Sequence, residues 1–135
     1  MNWTKTVTLS ELEPSVEEAA LREAYFQQKA QRIIHRVPEI YSVIGNKIEM
    51  EYLQGTPLSQ IRLTRQELLK IKNLVLDMIQ ALNKASIYHQ DLHLDNILID
   101  QHLNPWIVDF GAAYFEPIYG LNDTDLFLQE FRNKL

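Results

Sequence analysis

His89-Gln90-Asp91-Leu92-His93-Leu94-Asp95-Asn96 is the stretch on which the reading turns. Four residues separate Asp91 from Asn96, and the apolar run Ile97–Ile99 follows at once. A second apolar run, 106–108, leads straight into Asp109-Phe110-Gly111. The polar segment 100–105 between the runs reads as a turn, so the two runs predict a small hairpin. A lone Asp or Asn in a loop is ordinarily a turn or cap residue. Three such residues, in this order and each beside a predicted strand, ask for another explanation.

Working outward, the long segment before the motif is helical. Thr64 and Glu67 form a capping-box signature, and Leu68, Leu69, Ile71, Leu74, Val75, Met78, Ile79 and Leu82 recur at three- and four-residue spacing to about Ser86. Upstream, Ile40–Ile44 and 47–53 are β-rich runs joined by Gly45-Asn46, which suits a hairpin. Gln54-Gly55-Thr56-Pro57 breaks that pattern. Another helix is predicted from Ser15, with Glu18 three residues on, through Val16, Ala19, Ala20, Ala24, Gln27, Ile33 and Ile34 to about His35, with Pro38 ending it. Residues 4–9 alternate and read as a strand. Residues 122–135, preceded by Leu121, predict a last short helix with Phe127, Leu128, Phe131 and Leu135 apolar. The fold class is therefore α+β, in 135 residues, a length that suits one core.

Composition narrows the classes. With 46% hydrophobic and 23% charged residues the chain is composed like a soluble globular protein rather than a disordered one. A net charge of −5 with mixed signs argues against broad nucleic-acid binding, leaving contact through a partner complex. The absence of cysteine excludes disulfides and thiolate zinc sites. No apolar run of membrane-spanning length and no apolar leader stretch is present. The expected setting is the cytoplasm, or the host-cell cytosol for a secreted effector.

The chemistry of the trio is that of a hard cation. Mg²⁺ prefers oxygen ligands and takes only one or two from protein, which Asp109 and Asn96 supply in kind. The spacing matches the catalytic loop H-R-D-x-x-x-x-N, and Asp109-Phe110-Gly111 the D-F-G metal loop, of phosphoryl-transfer enzymes. In that arrangement Asp91 orients the acceptor hydroxyl and takes its proton. His89 is expected to hold the loop. His93 and His102, with no metal-ligand spacing, read as loop residues.

On these motifs the chain resembles the eukaryotic-type protein kinase superfamily, and is most similar to its small atypical branch: the KEOPS-complex kinase/ATPase, the RIO kinases and the lipopolysaccharide-core kinases. The segments Arg22-Glu23-Ala24, Val37-Pro38 and Met50-Glu51-Tyr52-Leu53-Gln54-Gly55 carry the KEOPS-kinase likeness. The resemblance implies a minimal kinase-like domain, with 1–53 as a truncated N-lobe and 54–135 as a shortened helical C-lobe. It implies ATP and Mg²⁺ as cofactors. Lys5 would hold phosphates and pair with Glu23, with Glu18 the competitor. Met50 would be the gatekeeper, and the backbone of Glu51 and Leu53 would bond adenine. Leu98 would floor the adenine site, with Val108 just before the metal loop. Asp125 would brace the catalytic loop.

The departures are also informative. No G-x-G-x-x-G lid occurs, Gln90 replaces the Arg of H-R-D, and His93 stands where protein kinases usually carry a phosphate-contacting Lys. Glu116-Pro117 is only a faint echo of A-P-E. The implied function is an ATP/Mg-dependent phosphotransferase, of Ser/Thr protein-kinase or KEOPS-like ATPase type, acting on an unidentified protein or small molecule. A protein partner or a second copy would complete the truncated lobe. Two other readings stay open: a pseudokinase-like nucleotide-binding or interaction module, for which Phe127, Leu128 and Phe131 are candidate contacts, and a small-molecule kinase.

Overall fold

The structure is a computed structural model. It describes residues 2–8, 13–120 and 122–135. The first sheet joins β1 (Asn2–Thr6), β2 (Ile40–Ile44) and β3 (Lys47–Glu51) in the order β1-β3-β2, all antiparallel. Its strands β2 and β3 are the predicted hairpin, turned at Gly45 with φ +60°, a conformation glycine adopts without penalty. The first strand lies two residues earlier than alternation suggested. Of the predicted run, Val7 instead extends the pairing through its N–H to the Asn46 carbonyl at 2.8 Å, while Leu9 is outside the described residues.

Helix α1 (Val16–Ile34) starts where the cap signal placed it, with the Ser15 hydroxyl accepting from the Glu18 N–H. Its first half lays Ala19, Ala20 and Ala24 against Ile48 and Met50, and the small side chains let helix and sheet approach closely. Its second half puts Phe26 and Ala30 into a different, larger core. One helix thus ties the upper sheet to the body below.

That body is built on α2 (Arg65–Lys84), whose cap is reciprocal: the Glu67 N–H donates to Thr64 Oγ1 and the Thr64 N–H to Glu67 Oε1. Leu68, Ile71, Val75, Met78, Ile79 and Leu82 form its buried face. The predicted small hairpin is β5 (Ile97–Ile99) and β6 (Pro105–Ile107). A third strand, β4 (Thr56–Pro57), pairs with β5, so the segment that broke the sequence pattern is itself part of a sheet. Two residues are too short to announce a strand locally. Gly55 lets the strands approach closely there: a Cβ would lie 3.1 Å from the Ile99 carbonyl and 3.3 Å from Leu98, a crowded fit.

Helix α3 (Asp123–Phe131), capped by the Asn122 side chain and continued by a 3₁₀ turn (Arg132–Lys134), closes the body; Leu121 is outside the described residues. Phe127 and Phe131 are fully buried and stack at 5.4 Å, each contributing about 2–3 kcal/mol by removal from water. They are core, so neither offers the partner contact considered above. No helix among the described residues is long and apolar enough to cross a membrane.

Candidate active site

Between the two sheets runs a cleft lined by Lys5, Glu23, Met50, Glu51, Leu53, Asn96, Leu98, Val108 and Asp109, together with Trp3, Gln27, Pro38 and Tyr52. Three structural features hold the polar side chains there. The first is β1. Alternation along the strand sends Trp3 and Lys5 to one face, opposite Met50 and Ile48 in register. Lys5 Nζ then lies 2.6 Å from Glu23 Oε2 on α1 and 2.8 Å from Asp109 Oδ1. Glu23 is 2% exposed, and burial pushes its carboxyl up while Lys5 pulls it back. Burial works against the Lys5 charge too, but the two carboxylates outweigh it and hold the ammonium above its ordinary range. Glu18 is exposed on α1 and serves the cap instead.

The second is the metal-loop turn. Asp109 adopts φ +63°, a left-handed conformation uncommon outside glycine and characteristic of functional turns. Burial would raise its carboxyl, yet Lys5 and the Gly111 N–H, both on Oδ1, hold it below the usual carboxylate range. Gly111 leaves room for the two carboxylates: a Cβ there would sit 3.2 Å from both the Asp109 and the Glu23 side chains and press on them. Arg22, one residue before Glu23, donates to the Ala113 and Gly111 carbonyls at 2.7 and 2.8 Å and meets Glu13 at 2.9 Å. Helix α1 therefore grips both sides of the turn.

The third is the catalytic loop. His89 is wholly buried, its ring edge-on to Phe110. Its Nε2 bonds the Val108 carbonyl at 2.8 Å and its Nδ1 accepts the Asp91 N–H at 3.2 Å, which defines one neutral tautomer. Burial lowers its proton affinity accordingly. Asp91 sits beside the cleft on the loop, and Asn96 connects the two: its Nδ2 donates to the Asp91 carbonyl at 2.7 Å and lies 3.4 Å from Asp91 Oδ2. That leaves the Asn96 side-chain Oδ1 and Asp109 Oδ2 as the donors available to a cation.

The brace of this loop is a correction to the sequence reading. Asp125 is exposed, and only its N–H is engaged, by the Asn122 cap. The residue that holds the loop is Asp123, buried at 2% exposure. It accepts from the His89 N–H at 2.9 Å, the Gln90 N–H at 2.8 Å and Asn83 Nδ2 at 3.1 Å. A readable signal existed: Asp123, Phe127 and Phe131 share one stripe of α3, and Asp125 is off it. Sequence reasoning also passed over His93. Its Nε2 is 3.0 Å from Asp91 Oδ1 and its Nδ1 is 2.7 Å from Glu130 Oε2 on α3. Gln90, at φ +68°, turns its amide outward to the Ala112 carbonyl and the Ile118 and Tyr119 N–H groups, tying down the segment after the metal loop without a charge.

Fold and cleft together define a protein-kinase-like protein of the atypical class. Residues 5–115 match the RIO domain family (RIO1), and the chain belongs to it. The fold is similar to that of the Rio2 kinase of Chaetomium thermophilum in its ADP/Mg²⁺-phosphoaspartate complex, with a TM-score of 0.64 and 22% identity over 88% of this chain and 36% of that one. Among curated proteins it is similar to CBL-interacting serine/threonine-protein kinase 21 of Arabidopsis thaliana, 34% identical over 86 residues, which are 57% of this chain and 20% of the relative. It is also similar to NUAK family SNF1-like kinase 1 of Homo sapiens, 33% identical over 101 residues, 68% of this chain and 14% of the relative. The chain thus spans a fifth or less of the length of these curated kinases. At the level of the family the activity is kinase-type, ATP-dependent phosphotransfer.

Proposed function

We propose that this chain binds ATP with Mg²⁺ in the cleft between its sheets and transfers the γ-phosphoryl group, with Asp91 as the base. The observation that carries the reading is the bridge from Glu23 through Lys5 to Asp109, at 2.6 and 2.8 Å, facing the same cleft as Asn96. A lysine fixed between two carboxylates presents its charge to phosphate oxygens without having to reorganise.

The donor set suits Mg²⁺. Asp109 and Asn96 bring one carboxylate oxygen and one amide oxygen, and among the described residues no group of three or more acidic, His or Cys side chains forms a cage that would hold a cation without phosphate. When bound, the ion neutralises charge on the phosphates. Lys5 holds the α- and β-phosphates. Met50 and Leu98 enclose the base, and Trp3 covers the mouth from β1. The Glu51 N–H is engaged by the Glu39 carbonyl at 2.8 Å, so adenine would meet the Glu51 carbonyl and the Leu53 N–H. Asp91 orients the acceptor and receives its proton, with His89 and Asp123 fixing the loop that carries it.

In this reading 1–53 and 54–135 are the two sides of one kinase-like domain working in the cytoplasm. The acceptor is a hydroxyl of a protein or small molecule, or water in an ATPase. A partner or second copy would pair along the outer edge of β1, which no other strand among the described residues takes. The test is labelled ATP with Mg²⁺, reading phosphate release, transfer, and any hydroxylamine-labile aspartyl phosphate. Label should appear in the wild type and vanish in Asp91→Asn and Asp109→Asn. Equal silence in all three, with nucleotide still stabilising the fold, would favour the binding-module reading.

A further inference from the structure

We propose that His93 and Glu130 form a positioning relay for Asp91, with α3 as the template that aims the base. The inference rests on the phosphotransfer reading and deepens it.

Both ring nitrogens of His93 face carboxylate oxygens, Asp91 Oδ1 at 3.0 Å and Glu130 Oε2 at 2.7 Å. Glu130 is itself fixed, because its other oxygen accepts the Leu94 N–H at 2.9 Å. The carboxylate therefore holds the loop backbone with one oxygen and the imidazole with the other. Asp123 and Glu130 are seven residues apart on α3, hence on one face, and both reach the catalytic loop. The buried Phe127 and Phe131 lock that helix to the core. The loop is consequently held at two ends from one rigid element.

The consequence for Asp91 is directional. Oδ1 is turned to His93 at 3.0 Å and Oδ2 meets only the longer Asn96 amide contact at 3.4 Å, so Oδ2 is the less committed oxygen and the one presented to an acceptor. In the transfer step the acceptor oxygen bonds to the γ-phosphorus, the bond from that phosphorus to the β,γ-bridging oxygen breaks, ADP leaves, and the acceptor proton ends on Asp91 Oδ2. The charged groups around the ring are Asp91 and Asp95 on the loop side, with Glu130 on α3 and Lys134 in the following turn; the Lys134 ammonium is taken by the Ile61 carbonyl at 2.8 Å. Consistent with this setting, the hydrogen bond that Glu130 accepts raises the proton affinity of His93 above the ordinary imidazole range.

His93 and Glu130 do not line the nucleotide cleft, so their loss should spare nucleotide binding. His93→Ala is expected to lower kcat by about 10- to 100-fold while KM for ATP stays within about twofold. Free imidazole should restore part of kcat in His93→Gly, and Glu130→Ala added to it should abolish the rescue. Glu130→Gln keeps an acceptor for the Leu94 N–H, so it preserves the fold and serves if a His93 variant does not fold; its kcat should fall severalfold. If Asp91→Asn abolishes turnover but folded His93→Ala runs within about twofold of wild type, or imidazole rescues nothing, the relay is refuted and the phosphotransfer reading stands. If Asp91→Asn turns over normally, or wild type is silent, the phosphotransfer reading fails first and takes the relay with it.

Discussion

Asp123→Ala should damage this protein far more than Asp125→Ala, although the two carboxylates stand two residues apart. Asp123 is 2% exposed and accepts three hydrogen bonds, two of them from the backbone N–H groups of His89 and Gln90. The His89 N–H has no water to turn to, because His89 is fully buried, and the Gln90 N–H is half-buried. Each hydrogen bond to a charged group is worth about 1.5–3 kcal/mol, and a buried donor left alone forfeits a similar amount. Counting the two backbone bonds and treating the half-buried Asn83 amide as able to rehydrate, the loss comes to about 3–6 kcal/mol. With a urea m-value of about 2 kcal/mol/M, the unfolding midpoint should drop by roughly 2 M. Asp125→Ala removes only an exposed charge from the first turn of α3, worth about 0.3–1 kcal/mol through the helix dipole. Urea melts followed by circular dichroism decide it. A loss below about 1 kcal/mol for Asp123→Ala, or equal losses for both variants, would refute the assignment of the brace to Asp123.

Three other outcomes follow from the geometry. Lys5→Met leaves the buried Glu23 without its partner; because Lys5 is 22% exposed and partly screened, the stability cost should be about 1–3 kcal/mol, and the thermal shift given by ATP with Mg²⁺, about 2.7 kcal/mol at 100 times Kd in the wild type, should disappear. Asp100 turns the β5–β6 hairpin by accepting the His102 and Asn104 N–H groups at 2.8 and 2.9 Å and Trp106 Nε1 at 3.0 Å; although burial opposes its charge, these bonds lower its proton affinity. A carboxyl depressed in the folded state adds stability above its unfolded value and loses it as the pH falls through the folded one, so the destabilisation in Asp100→Ala, about 1–2 kcal/mol at neutral pH, should shrink as the wild type is acidified below about pH 4. ATP should quench tryptophan fluorescence in the wild type but not in Trp3→Phe, since Trp3 lines the cleft and Trp106 is held by Asp100; an unaltered quench in the variant would remove Trp3 from the site.

Much of the architecture is written in local chemistry. The caps at Ser15 and Thr64 place the starts of α1 and α2 because a hydroxyl beside free N–H groups needs no distant help. The face of α2 follows from apolar spacing, and the β2–β3 turn from Gly45. The trio Asp91, Asn96 and Asp109 was legible because loop spacing is a property of the chain itself.

What the sequence alone determined, then, is the set of helices, the hairpins and the identity of the oxygen-bearing side chains offered to a cation and a nucleotide. Only the tertiary structure decided which neighbours hold them. Asp123 and Asp125 have the same chemistry, but two residues of helix separate them by about 200°, and only packing of Phe127 and Phe131 selects the side that meets the catalytic loop. The pairing of β4 with β5, and the contacts of Lys5 with Asp109 and of His93 with Glu130, join residues 37 or more positions apart. Contacts of that range are set by how the cores close, and no local pattern records them.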